Sequence, residues 1–182
     1  TTAQEFTAQL NANLPGSKGL ILDLRDNGGG YVSAAQTVIS SFVSSGEAFS
    51  TKGRSGSQVT DVTGKVIAPK LPIVILVNRN TASASEITSG SLQAHHRAVL
   101  VGTRTYGKGS VQEDFTLPDG GDLHLTIQHW YLPNGRTIQS VGLRPNYDVN
   151  LASGGQEFDV VDPQDGYATD SQLKRALSLL GG

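Results

Sequence analysis

Three short apolar runs, at residues 19–24 (GLILDL), 72–78 (PIVILVN) and 98–102 (AVLVG), constrain this chain more than any other feature. Runs of this length, bounded by glycine or proline, read as strands buried on both faces, and such strands pair in parallel through helical crossovers. The crossovers are visible. After the first run Val32, Ala35, Ile39 and Phe42 recur at helical spacing up to Gly46, and after the second run residues 83–95 read as a helix. Strand, turn and helix repeated in this way is the grammar of an α/β domain with mainly parallel buried strands and flanking helices.

The remaining segments fit around that core. Phe6, Leu10 and Leu14 mark an amphipathic helix that Pro15-Gly16 stops. Residues 47–70 turn polar and glycine-rich, with alternation around Val59, Asp61 and Thr63, and are expected to form an exposed, mobile segment. After residue 120, Leu123, Leu125, Ile127, His129 and Tyr131 alternate with polar positions, which predicts an antiparallel element closed by the turn Pro133-Asn134-Gly135. Residues 154–166 read as loop, and Asp170 is placed to cap a last helix at about 170–180 with Leu173, Ala176, Leu177 and Leu180 on one stripe. A chain of 182 residues accommodates this as a single domain, 1–182.

Composition removes several function classes. Fourteen Lys plus Arg against 16 Asp plus Glu leave no basic footprint for nucleic acid. With no cysteine, thiolate nucleophiles, disulfides and Cys-based zinc sites are excluded. No apolar run approaches the ~20 residues needed to span a bilayer, and residues 1–10 carry no signal-peptide pattern.

The chemistry-bearing residues cluster at the turns. Ser83 follows the second buried run near the start of a helix, where unpaired N–H groups and a partial positive charge can stabilise an oxyanion; the Ala84 N–H is the natural first donor. By spacing alone, however, Ser83-x-x-Glu86 reads first as a capping box. The four histidines occupy helix-end or strand positions without a constellation, so the stronger base candidate is Lys108, held between Gly107 and Gly109 just beyond the third run. An exposed lysine titrates near ~10.4, so a base needs burial or a neighbouring positive charge; otherwise Lys108 is a solvated loop residue. A Walker loop is rejected because Gly109 interrupts the required Lys-Ser/Thr pair. The third candidate is the loop 25–30 with Gly28, Gly29 and Gly30, which can expose a second oxyanion donor at Gly29 or Gly30.

Together, Asp-Leu-Arg-x-Asn-x-Gly-Gly at 23–30, Thr-Ala-Ser-Ala-Ser-Glu at 81–86 and Tyr-Gly-Lys-Gly-x-Val-Gln at 106–112 resemble the carboxyl-terminal processing peptidases, or tail-specific proteases. The resemblance spans residues 19 to about 149. It implies a core similar to the ClpP and crotonase folds and a serine endopeptidase cleaving proteins near their C-termini. Ser83 would be the nucleophile, Lys108 its base and Gln112 a group that orients the lysine one helical turn or so away. Ala84 and Gly29 would form the oxyanion hole, and no metal or organic cofactor is implied. Many members carry proline at the position of Gly28, so the loop here is expected to be looser. Partners implied are protein or peptide substrates with accessible C-terminal tails, with no nucleic acid; homo-oligomerisation stays open. The location implied is extracytoplasmic, in the bacterial periplasm or cell-envelope exterior, with the plastid lumen as the other setting. The PDZ domain and the extra strand that usually precede this segment are expected to be absent. Two other readings stand beside this one: a proteolytically silent peptide- or apolar-ligand-binding module, and an acyl-CoA enzyme on the related crotonase core.

Overall fold

All three apolar runs enter one parallel sheet. In the computed structural model, which describes residues 2–158 and 169–182, the chain order is α1 (Thr2–Asn13), β1 (Leu20–Asp23), α2 (Val32–Ser40), β2 (Glu47–Gly53), β3 (Gly56–Asp61) and β4 (Ile73–Val77). It continues with α3 (Ala84–Ala94), β5 (Val99–Gly102), β6 (Ser110–Thr116), β7 (Asp122–Tyr131), β8 (Tyr147–Asp148) and α4 (Ser171–Leu179). Strand order in the parallel sheet is β1-β4-β5-β8, with Leu20 opposite Ile73 and Val74 opposite Val99.

Strand β4 is buried along its whole length, and its period of two serves both faces of the sheet. Ile73, Ile75 and Val77 join the main core with Ile39, Phe42, Ile87 and Leu92, while Val74 and Leu76 meet Leu173 and Ala176 of α4 on the other side. Each such side chain, fully buried, contributes about 1.5–3 kcal/mol. The expectation that β1 is buried on both faces is corrected: Leu20, Ile21 and Leu22 are only half-buried and Asp23 is exposed, because β1 is an edge strand with a single neighbour.

A second, antiparallel sheet has the order β3-β2-β7-β6. It corrects the expectation of an exposed segment over 47–70. Ala48, Phe49, Ser50 and Thr51 are buried, because β2 is an inner strand between β3 and β7 and Phe49 packs edge-on against Trp130 at 5.2 Å. Exposure along this stretch falls mainly on β3 and parts of the turns around it, including Thr63, Gly64, Lys65, Pro69 and Lys70. The antiparallel element begins earlier than expected, since β6 starts at Ser110 and pairs along β7. The loop expected at 154–166 lies partly outside the described residues.

Helix α3 is buried from Ala84 to Leu92. Its sequence is poor in strong helix formers, and Thr88 and Ser89 turn their hydroxyls back onto the carbonyls of Ala84 and Ser85, so tertiary packing rather than propensity holds it. That central helix carries the first site segment at its N-terminus.

Candidate active site

The site begins where β4 hands over to α3. Thr81, fully buried, accepts the Asn78 N–H at its hydroxyl and donates that hydroxyl to the Leu24 carbonyl at 2.7 Å, which locks the turn onto the end of β1. Ser83 then sits at φ 56°, ψ −123°. This is a sparsely populated region for a residue with a Cβ, at a cost on the order of 1–3 kcal/mol. Such a turn lifts a side chain out at the tip of a strand-to-helix elbow. Glu86 takes the Ser83 N–H at 3.1 Å in a capping-box arrangement, and the Glu86 N–H donates to the Ser83 carbonyl at 2.9 Å. The carboxylate thus supplies one half of the cap.

The glycine loop reaches the same point. A Cβ on Gly29, whose φ is +102°, would lie 2.8 Å from the Ala84 nitrogen, the Ala82 oxygen and the Ser83 Cβ, so only glycine permits this approach. The Ala82 N–H donates to the Asn27 carbonyl at 3.0 Å. Gly29 and Ala84 are thus brought together beside Ser83. Ala84 N–H, at the first helical position, makes no hydrogen bond among the described residues. Gly29 N–H is occupied, donating to Asn27 Oδ1 at 3.0 Å, an oxygen that also accepts the Ser85 hydroxyl at 2.8 Å.

Glu86 joins the elbow to the lysine loop. It is fully buried, and its Oε2 accepts both the Ser83 N–H and the Lys108 N–H (2.9 Å) while Oε1 accepts the Thr105 hydroxyl and the Gly107 N–H (2.8 Å). Four donors replace the water that a buried carboxylate forfeits. Gly107, at φ +91°, presses against the backbone of Ile138, Val141 and Gly142, leaving no room for a side chain. A cleft of about 680 Å³ opens here, lined by Gly28, Ala82, Tyr106, Lys108, Gln139 and Ser140.

Side chains follow less closely than backbone. Lys108 is exposed, and its amine makes no hydrogen bond or ion pair among the described residues, with Ser83 or with any other group. Gln112 is exposed on β6, opposite Thr126. The expected helical turn between Lys108 and Gln112 is corrected: the chain is extended there, because its N–H and C=O groups are taken up by the ladder with β7. Glu86 is the residue that sequence reasoning undervalued. Its signal is an acid three residues after the candidate serine within a run of small Thr, Ala, Ser and Gly side chains, which by spacing alone reads only as half of a cap.

Behind the glycine loop lies an ionic cluster centred on the buried Arg25 and Asp170. The Arg25 guanidinium, with 2% of its side chain exposed, meets Asp23 through Nε and Nη2 (2.6 Å) and Asp170 Oδ2 through Nη1 (2.8 Å). Burial acts to lower the Arg25 pKa, but its bonds to Asp23 and Asp170 outweigh that and hold it above its usual value. Burial likewise acts to raise Asp170, yet the N–H groups of Leu173 and Phe158 and the Arg25 charge keep it below the usual carboxylate range. Asp26, at φ 56°, is held low chiefly by the Asn80 amide, and burial pushes neighbouring Glu157 up.

A parallel sheet with a hydroxyl on a strand-to-helix elbow, two backbone amides beside it and a lysine loop across a cleft defines the class of cores that can present a serine to an extended chain. More specifically, this chain belongs to peptidase family S41, whose family model matches residues 1–149. It is 37% identical over 197 aligned positions to a carboxy-terminal-processing protease of Bartonella bacilliformis, covering 91% of this chain and 44% of that protein. A carboxyl-terminal-processing protease of Synechocystis sp. is 38% identical, covering 92% and 38%. Among solved structures, a photosystem II D1 C-terminal processing protease superposes with a TM-score of 0.77 at 30% identity over all of this chain and 43% of that one. The chain therefore spans less than half the length of these relatives. Among the described residues, no helix is long and apolar enough to cross a membrane.

Proposed function

We propose that this chain is the catalytic core of a serine endopeptidase that cleaves protein substrates near their C-termini. The observation that carries the reading is the shared Glu86 oxygen: one buried atom accepts the backbone N–H of both Ser83 and Lys108, so the loops bearing the two residues are held as one unit. In this reading Ser83 Oγ attacks the scissile carbonyl. With a peptide filling the cleft, Lys108 turns in from solvent, takes the serine proton and returns it to the leaving amine. The oxyanion is held by Ala84 N–H and by Gly29 N–H, the latter after it leaves Asn27 Oδ1. Gln112 is assigned the orientation of the lysine once the amine has moved in. The location proposed with this activity is extracytoplasmic, following the family resemblance.

The test is cleavage of an unstructured peptide with an apolar C-terminal tail, with labelling by a fluorophosphonate probe in parallel. Ser83→Ala and Lys108→Ala are each expected to lower kcat/KM by on the order of 10³-fold or more with the fold retained. Cleavage retained in either variant overturns the dyad. Two observations favour a second reading, a peptide-binding module without hydrolysis: the unbonded, exposed Lys108 amine and the occupied Gly29 N–H. Binding of the peptide with neither turnover nor labelling would establish that alternative.

A further inference from the structure

We infer that Asp170, at the head of α4, is a positioning residue for the oxyanion loop, acting through Arg25. The inference rests on the reading of Gly29 and Ala84 as oxyanion donors and extends it to a helix beyond residue 149, where the S41 match ends.

The two oxygens of the Asp170 carboxylate face in different directions. Oδ1 accepts the N–H groups of Gln172 (2.9 Å) and Leu173 (2.8 Å) and so caps α4. Oδ2 accepts the Phe158 N–H at 2.9 Å and Arg25 Nη1 at 2.8 Å. The same Nη1 also donates to Gln172 Oε1 at 3.0 Å. Asp170 is fully buried, so this attachment is shielded from solvent screening.

The geometry gives the attachment a direction. Leu173 and Ala176 pack α4 against Val74 and Leu76 of β4 and Val101 of β5. These strands lead into the Ser83 elbow and the Lys108 loop. Arg25 opens the loop whose Gly29 lies against Ser83 and Ala84. Helix α4 thus refers the glycine loop to the two strands that carry the other site segments. Between Arg25 and Gly29 the loop is tied separately, through Asp26 to the amides of Asn78 and Asn80 and through the Asn27 carbonyl to Ala82. With Asp170 neutralised, Arg25 keeps Asp23 and the more distant Glu157 (4.0 Å) as charged partners, and the loop loses its tie to α4 while its backbone hydrogen bonds at Leu24 and Asp26 remain. A donor displaced by a fraction of an ångström loses much of its value to a developing oxyanion.

Asp170→Asn keeps the cap, which asparagine supplies about as well as aspartate, while its NH₂ faces the Phe158 N–H and Arg25 Nη1 and so breaks the link to Arg25. In the intact protein the expected result is a fall in kcat on the order of tenfold, with KM within about twofold, and faster amide exchange by NMR at residues 27–30. Leu10→Ala, a cavity in α1 away from this network, serves as the stability control and is expected to leave kcat per folded molecule within about twofold. If Asp170→Asn folds poorly, Gln172→Leu removes the other Nη1 acceptor, keeps the cap and should move kcat and exchange in the same direction. An Asp170→Asn protein with wild-type kcat and exchange overturns the inference, as does an equal loss of kcat in Leu10→Ala. If the wild-type protein neither cleaves nor labels, the peptidase reading fails, and the exchange measurement still decides whether Asp170 holds the loop.

Discussion

Adjacent glycines in the loop before α2 answer to opposite constraints. A Cβ on Gly28 would meet nothing within 4 Å and its φ is not positive, whereas a Cβ on Gly29 would collide with the elbow. Gly28→Ala is therefore expected to raise stability by about 0.4–1 kcal/mol by restricting the unfolded chain. Gly29→Ala should push the loop off Ser83 and reduce fluorophosphonate labelling by at least about tenfold. Measured together by thermal melting and labelling rate, the pair separates freedom that costs stability from freedom the site requires. The sequence motif could name both glycines but not tell them apart, since the distinction depends on atoms of residues 82–84, more than fifty positions away in the chain.

At the scale of elements, the link between α3 and the lysine loop is a single carboxylate. Glu86→Gln would turn an NH₂ group toward at least one N–H donor of Ser83, Gly107 or Lys108. Leaving such a donor unpaired in the interior costs about 1–3 kcal/mol, which a urea titration would read directly. Labelling of Ser83 should fall beyond what the loss of folded protein explains, because the elbow and the lysine loop would lose their common anchor. Legibility divides along the same line. β4, β5, α3 and α4 could be read from the chain, because an uninterrupted apolar run or a capped apolar stripe reports burial locally. β2 could not: Glu47, Ser50, Thr51 and Lys52 make its pattern polar, and its burial comes from Trp130 and Tyr131 on β7. Likewise Val111 and Phe115 on β6 gave too little alternation among Gln112, Glu113 and Asp114 to signal a strand, so Gln112 was placed on the wrong kind of backbone. Ser83 and Lys108 could be named from motif order, but the position of the lysine amine is set by the cleft, which no local pattern describes.

For the molecule as a whole, acid is the condition that tests the ionic cluster. Asp170 and Asp26 titrate below the ordinary aspartate value of ~3.9, so their contribution to stability is complete above that value and is lost as pH falls through their folded-state pKa values. Glu157, raised by burial, has the opposite sign: its contribution is complete below ~4.3 and fades as pH rises through its folded value. Urea midpoints should climb between about pH 2.5 and 4 as the two aspartates ionise and ease above that as Glu157 does, and Asp170→Asn should flatten the climb. The last consequence comes from β4, whose alternate residues belong to both hydrophobic cores. Neither core can melt while the other stays intact, so calorimetry should give one transition across the chain, and loss of Ser83 labelling on heating should coincide with it. A core built this way would pass from folded to unfolded in one step, without a loosened intermediate in which one face of the sheet has melted.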